Sequence, residues 1–563
     1  MGVPRLFRTL TQKYRDLLSD KLRVKPSHLF FDLNCLIHPV CAECTRDPNL
    51  CGTAHGKKKM FQAIVDYIVK VVDFVNPAAY VYLFMDGVAP FAKIQQQRQR
   101  RYKSLYLKKK RMQLEKKDTK DCDFWDSNII SPGTSFMNEL ADFLRIMFPH
   151  YLVSDTNEPG EGEHKILEYI FSPSFARHSS SGDPQKNTIC IYGLDADLII
   201  LSWIVQLKKG IPVFLVRETL QMRPQAEQSE SPFTFMNIEQ LMDGYYRDLG
   251  TLQNKRQECV DFVFLCFFLG NDFLPNLFGI QLGTRPDGLY LILENYKHCK
   301  RNIENFYLVS DSVLQDTSPE GHINWTHVAI FIDLLKRQTM KINQCFLKWY
   351  MDFRPKKLES SDPVEIMMHD FEHHRQKTDP VRLTEPGWES RFVLRYFGLR
   401  SAAYGIEAHY VTGQYMSGLI WNTCYYFKTR GRLSFGYLYP YYVSPTLEMI
   451  SEFLCRHLQN PTPTKNTMIL PATQQELYIW PKLEELYNLF VLSPFVPVEP
   501  LPTQKALALI LPPESFSRIV EKKSPADFKE MSEGLLNRSF NIDYKHYWNE
   551  CHMLFDPIEW QTN

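Results

Sequence analysis

Three short apolar runs in this chain end in acid. Residues 29–33 carry Asp32, with Asn34 just beyond; residues 80–85 run into Asp86-Gly87; residues 188–192 pass through Gly193 to Asp195 and Asp197. Two loop-to-helix junctions add Glu161, Glu163 and Asp272. Ionised carboxylates only accept hydrogen bonds, and at close range they repel by roughly 4 kcal/mol per pair at an effective dielectric near 20. Seven of them can share a site only with cations between them. Oxygen-only ligands select Mg²⁺ or Mn²⁺ over zinc. Two such ions can activate a water and stabilise the leaving oxygen of a phosphodiester. For any one acid the competing reading is a helix cap or a solvated charge, and Asp195 with Asp197 suits the first turn of an ordinary helix. The recurrence of the pattern argues for the shared site.

Residues 29–33, 80–85, 188–192 and 211–216 read as buried strands, and in a parallel sheet their carboxyl ends share one edge. Helical spacing marks 3–17, 61–74, 92–117, 134–148, 161–171, 198 onward and 260–269. Polar stretches at 41–59, 172–187 and 221–232 read as loops. The alternation predicts an α/β fold with a mostly parallel sheet over residues 1–310. A helical connection at 311–385, a helical, aromatic-rich region at 386–515 and a tail at 516–563 follow. The polar stretch at 376–385 and the proline-rich crossing at 494–502 punctuate them.

Composition is that of a globular protein, with 44% hydrophobic and 23% charged residues in 563. No apolar run is long enough to cross a membrane. The N-terminus lacks the apolar run of a signal peptide. Thirteen cysteines form no disulfide framework, which suggests reduced thiols and a cytoplasmic protein. Residues 93–120 hold twelve Lys/Arg against two acids, a balance of +10; with a net charge of +1, the rest carries −9. A basic segment facing an acidic remainder suits a polyanion on one wall and metal-binding carboxylates on another. Cys41, Cys44, Cys51, His38 and His55 fit no compact zinc finger, and a structural zinc is not expected.

The motif series then becomes specific. M-G-V-P at the start, F-D-L-N-x-L-I-H at 31–38, M-D-G-V-A-P at 85–90, K-x-x-x-Q-x-x-R-R at 93–101 and D-S-N-x-I-x-P-G-T-x-F-M at 126–137 resemble the 5′-to-3′ exoribonuclease family of the Xrn type. So do P-G-E-G-E-H-K at 159–165, Y-G-L-D-A-D-L-I at 192–199 and L-G-N-D-F-L-P at 269–275. The resemblance runs through the first 280 residues in order and extends, with fewer matches, over 380–515. It implies a Rossmann-like sheet of the PIN and flap-nuclease kind, with the second region packed against the active site. It also implies two Mg²⁺ ions, replaceable by Mn²⁺, held by Asp32, Asp86, Glu161, Glu163, Asp195, Asp197 and Asp272. The matching residues Lys93, Gln97, Arg100 and Arg101 lie at i, i+4, i+7 and i+8 on one helix face. Their cations and amide suit a terminal phosphate, and in the family such residues grip a 5′-monophosphate. His38 matches a family histidine that stacks on the first base. Its usual tryptophan partner is replaced in S-F-G-Y-L-Y-P-Y-Y at 434–442, where Phe435 and Tyr437 stand as substitutes.

The expected protein is a monomeric, Mg²⁺-dependent 5′-to-3′ exoribonuclease that degrades single-stranded RNA processively, without membrane association. The long carboxyl-terminal additions of large family members are absent, so the chain reads as a minimal catalytic core. Lys108–Arg111 reads as RNA-facing or solvated. A flap-type DNA nuclease is disfavoured by the full motif series and the second region. An RNA-binding scaffold without catalysis is disfavoured by the seven intact acids.

Overall fold

The computed structural model describes residues 5–45, 53–115, 125–178, 187–219, 231–250, 254–315, 322–352, 354, 357–373, 379–399, 405–429, 433–459, 500, 503–512, 515, 540–543 and 552–555. The opening Met1–Pro4 motif, Cys51, the basic residues beyond Glu115, most of the 221–232 loop and the 494–499 crossing lie outside them. The chain divides into two compact units that interleave in sequence. One comprises Leu10–Asp243, Phe353–Gln376 and Pro500–Asn563; the other comprises Met1–Thr9, Gly244–Asp352 and Lys377–Glu499. The boundary expected near residue 310 falls inside a single unit.

The first unit is built on a seven-stranded sheet of β1 (Leu18–Ser19), β2 (His28–Asp32), β3 (Tyr80–Phe84), β4 (Leu152–Ser154), β5 (Ile189–Tyr192), β6 (Val213–Glu218) and β7 (Phe233–Asn237), in the order β1-β7-β6-β5-β2-β3-β4. The five strands from β6 to β4 are parallel, and β7 and β1 pair antiparallel at one edge. β2 and β5 are buried at every position, as their unbroken apolar sequences require of strands covered on both faces. Alternate residues of β2 face opposite layers. Leu29 and Phe31 join a core with Ile64 and Ile68 of helix Ala54–Val75 and with Met137 and Leu140 of helix Ser135–Met147. Phe30 faces the other way and stacks on Tyr82 at 4.4 Å between ring centroids, and Tyr82 meets Tyr169 of helix Gly162–Phe171.

The chain leaves β2 toward β3 and β4, then returns past β2 to place β5 and β6 on its other side. The topological switch point therefore lies between β2 and β5, and the crevice beyond their carboxyl ends is where open α/β sheets bind ligands.

Some local expectations change. The stretch 41–59 is not all loop: helix Asn34–Cys44 continues into it, because Leu36, Ile37 and Cys41 recur at helical spacing and are buried. Helix Ala54–Val75 begins early, capped by Thr53, whose side chain accepts from Gly56 N. A short helix, Pro173–His178, occupies the start of the 172–187 stretch. The amino-terminal helix is only Leu6–Lys13, followed by a 3-10 turn at Arg15–Leu17.

The second unit is helical over its described residues. Helix Lys255–Phe267 runs buried through it, including Glu258 and Asp261. Asp261 accepts from the backbone N–H groups of Leu308 and Val309 and from the Tyr296 hydroxyl. Helix Ile406–Phe427 contributes the buried aromatics Tyr415, Trp421, Tyr425 and Tyr426.

Candidate active site

Six of the seven acids converge at the switch-point edge of the sheet. Asp32 ends β2 and Asp86 follows β3. Asp195 lies beyond β5, and Asp197 opens helix Asp197–Lys209. Glu161 precedes helix Gly162–Phe171, and Glu163 is in its first turn. Gly162 stands at the centre. Its N–H donates to Asp86 Oδ1 at 2.7 Å, and a Cβ there would lie 3.0 Å from Asp32 Oδ1 and 3.4 Å from Asp86 Oδ1. Ligand atoms of Glu161, Glu163 and His164 lie within 4.8 Å of one another.

Two loops are fastened together to make this possible. Gly87 N donates to Gly160 O and Gly160 N to Val88 O, each at 2.8 Å. A Cβ on Gly87 would come within 1.8 Å of the Glu158 carbonyl oxygen, so only glycine permits the approach. Lys165 ties the same loops from below, donating to the backbone oxygens of Met85, Asp155 and Glu158. The site is thus mounted on backbone-to-backbone contacts and on one buried lysine that ties backbone oxygens together.

Electrostatics confirm that the six carboxylates form one group. Burial, then repulsion by Asp86 and Asp195, raises Asp32 to about 8, against the pull of the Cys35 hydrogen bond and Lys93. Burial, then Asp195, Glu161 and Asp197, pushes Glu163 well above the usual carboxylate range. One oxygen of Glu163 is buried without a hydrogen-bond partner. Buried carboxylates that repel one another, offering only oxygen to what lies between them, fit hard divalent cations.

Several contacts that hold the acids escaped the sequence reading, although Asn34 and Lys93 were themselves singled out by it. Asn34 Nδ2 donates to Asp86 Oδ2 at 2.7 Å and orients it. The Cys35 thiol donates to the Asp32 backbone oxygen. Lys93 Nζ forms an ion pair with Glu161 Oε2 at 2.5 Å, the side chains only 8% and 4% exposed. The proximity of Asn34 to the first strand's end was the one available signal; the Lys93–Glu161 pair joins residues far apart in sequence.

Lys93 begins the basic helix Phe91–Leu114, whose later turns bring Gln97 and Arg101 to half-buried positions and Arg100 to an exposed one. Arg101 is locked by Asn128 Oδ1 at 2.9 Å and Ile130 O at 3.3 Å, with Asn128 itself donating to Ser515. Burial and the neighbouring Arg100 lower Arg101 to about 10, still fully charged at neutral pH. His38 projects from helix Asn34–Cys44 with an exposed surface. Dense surroundings, then Arg101 and Arg100, lower it to about 4, so the ring is neutral at physiological pH. One unit therefore carries the acids, the basic face and His38 in succession, with Lys93 at the junction.

Asp272 belongs to the helical unit. Its loop is set by Asn271, whose side-chain oxygen accepts from Phe273 N and Leu274 N. Tyr437 corrects an expectation. It is 2% exposed, stacks on Trp421 at 5.1 Å and donates its hydroxyl to Gln414 O, so it is a core residue and not a platform for a base. Phe435 stays partly exposed.

Residues 1–218 match the model of the XRN 5′-3′ exonuclease N-terminus. Residues 254–346 and 345–454 match that of the Xrn1 helical domain. The chain belongs to the XRN 5′-3′ exonuclease family. It is similar to a 5′-3′ exoribonuclease 2 homolog of Caenorhabditis briggsae, 25% identical over 85% of this chain and 64% of the relative. It is also similar to 5′-3′ exoribonuclease 2 of Yarrowia lipolytica, 33% identical over 60% of this chain and 38% of the relative. That of Saccharomyces cerevisiae is 29% identical over 57% and 38%. The chain thus spans between about two fifths and two thirds of the length of these XRN relatives. Among solved structures, the catalytic core of Rad2 in complex with DNA substrate aligns at a TM-score of 0.31 and 12% identity, covering 66% of this chain and 84% of that one, a likeness too low to argue from.

Proposed function

We propose that this XRN-family chain is a Mg²⁺-dependent 5′-to-3′ exoribonuclease. It hydrolyses single-stranded RNA processively from a 5′-monophosphate end and releases nucleoside 5′-monophosphates. The observation that carries the reading is the convergence of six acids at the switch point, with Lys93 joining them to a basic helix face. Asp32, Asp86, Glu161, Glu163, Asp195 and Asp197 hold two divalent ions, Mg²⁺ or Mn²⁺. Bound there, the ions supply water activation and neutralise charge at the scissile phosphate. Asn34 and Gly162 N–H fix the Asp86 carboxylate, so ligand geometry exists before substrate arrives.

Lys93, Gln97, Arg100 and Arg101 hold the terminal phosphate. Arg101 is aimed in advance by Asn128 and Ile130, which lowers the entropy lost on binding. A cap or triphosphate brings extra groups that this face has not been arranged to pair. His38, neutral at physiological pH, stacks on the first base. Stacking tolerates any base, as sequential degradation needs. The protein acts as a monomer.

The test uses one RNA sequence with a 5′-monophosphate, triphosphate, cap or hydroxyl, and the matching DNA, with Mg²⁺ or with EDTA. Mg²⁺-dependent release of mononucleotides from the monophosphorylated RNA is expected, with the other ends and the DNA degraded far more slowly. Equal use of all four ends would refute the phosphate pocket. Degradation in EDTA would refute the metal site.

A further inference from the structure

The ion pair between Lys93 and Glu161 joins two parts of the site that the proposed function uses separately. Glu161 belongs to the acids and Lys93 to the phosphate-binding face, yet their side chains meet at 2.5 Å in a nearly water-free position. Lys93 also partly relieves Asp32 and Glu163, since its charge opposes the rise in both. Its ammonium thus occupies the electrostatic role of a cation among the carboxylates. A lysine has one charge on a flexible stem with rotatable donors, so it can exchange one anionic partner for another without moving the helix. Arg101, fixed by two hydrogen bonds, cannot.

We propose that Lys93 is a latch coupling metal occupancy to recognition of the 5′-phosphate, an inference that rests on the proposed function. With no divalent ion bound, Lys93 is held by Glu161 and is withheld from the terminal phosphate. When an ion takes over Glu161, the pair is released and the ammonium turns to the phosphate. Metal and phosphorylated 5′ end then favour each other's binding, and linkage makes the effect reciprocal. The arrangement protects RNA ends from unproductive capture by metal-free protein. It also makes Lys93 differ in kind from Arg100 and Arg101, which face the phosphate whatever the metal state.

The test measures equilibrium binding of adenosine 3′,5′-bisphosphate and of adenosine 3′-monophosphate to the full chain. Neither probe contains a phosphodiester between nucleosides, so no turnover intervenes. The preference for the 5′-phosphorylated probe is measured with Ca²⁺ or Mn²⁺ and with EDTA. In the wild-type protein the preference should rise about 5- to 100-fold with metal, the range of ordinary coupling between sites. In Lys93→Met, and in the more conservative Lys93→Gln, it should be weak and the same in both conditions. In Arg100→Ala it should be lower but still metal-dependent. Separately, Mn²⁺ titration without nucleotide should show tighter metal binding in Lys93→Gln than in wild type, because the internal competitor for Glu161 is gone. A wild-type preference that is strong but metal-independent, or weaker Mn²⁺ binding in Lys93→Gln, would overturn the latch while leaving the phosphate pocket standing. Failure of wild type to distinguish the probes in either condition would overturn the pocket itself.

Discussion

One methyl group at position 162 should separate stability from catalysis. In Gly162→Ala the new Cβ lies 3.0 Å from Asp32 Oδ1, 3.3 Å from Phe84 O and 3.4 Å from Asp86 Oδ1. The first two are tighter than an ordinary contact and the third is at its edge, and the backbone oxygen of a central strand cannot yield. The Asp32 carboxylate must, by a few tenths of an ångström, toward an Asp86 that Asn34 and the Gly162 N–H already hold in place. Overpacking of this kind costs about 1–3 kcal/mol. Gly162 is the first residue of its helix and does not need a left-handed conformation, so alanine returns up to about 1 kcal/mol of helix propensity. Net stability should fall by about 0–3 kcal/mol. Chemistry should suffer as well, since misplacing reacting groups by about 1 Å costs about 100-fold and a few tenths of an ångström correspondingly less. The assay compares kcat on 5′-monophosphorylated RNA in saturating Mg²⁺ with urea unfolding of the same preparation. Loss of roughly 10-fold in kcat, under conditions where the unfolding curve shows the variant fully folded, is expected. A kcat within threefold of wild type would refute the claim that Asp32 and Asp86 are held by contact with Gly162.

Tyr437→Phe should lower stability by about 1 kcal/mol, through loss of the hydrogen bond to Gln414, and leave processivity unchanged; a defect in run length at unchanged stability would return Tyr437 to the substrate. Asp261, raised to about 7 by burial, keeps its carboxyl proton when folded across a pH range, about 4 to 7, in which the unfolded chain loses it. Its stabilising share is complete below about pH 4 and is lost as pH rises toward 7, a swing of at most about 4 kcal/mol. Asp261→Asn, which can keep both backbone hydrogen bonds, should therefore flatten the pH dependence of unfolding between 4 and 7, and an unaltered profile would contradict this. Asp195→Asn removes a charge that raises both Asp32 and Glu163, so cleavage should be lost while the metal-free protein melts a few degrees higher than wild type; a lower melting temperature in EDTA would count against mutual repulsion.

The shared edge of six of the acids was legible because their setting is local. A buried apolar run followed by an aspartate marks a strand end, and parallel topology does the rest. The helix pattern around the sheet was readable for the same reason, with errors at the 41–59 stretch, where a capped helix start hides among polar residues. β4 escaped because three residues carry too little pattern, and β1 because it has only two. Interleaving of the two units was not legible, since no composition change marks residue 243. Tyr437 misled because an aromatic-rich segment looks the same whether its rings pack on Trp421 or await a base. The Lys93–Glu161 pair was hidden by distance along the chain. Spacing along one helix groups Lys93 with Arg100 and Arg101, and only the three-dimensional arrangement shows that it also faces the acids.

That position explains how the fold tolerates its own active site. Six carboxylates at one sheet edge oppose folding, and the structure answers with a fixed scaffold and an internal cation. The Gly87–Gly160 and Gly160–Val88 hydrogen bonds hold the loops whatever the charges do. Lys93 neutralises one acid, and the raised Asp32 takes up a proton more readily than it would unfolded. The proton's relief is complete below the unfolded value near 4 and is progressively lost as pH rises toward 8, where the repulsion must be borne or screened by metal. Stabilisation by divalent ions must therefore increase over that interval, because the ions replace a proton that is leaving. The same repulsion that makes the metal-free site unfavourable is what makes it a strong receptor for cations, so the penalty in folding and the affinity for metal have one origin. Lys93 lowers both together. It makes the metal-free chain easier to fold and the metal correspondingly easier to release, and its long side chain can leave the acids for a phosphate once an ion has taken its place.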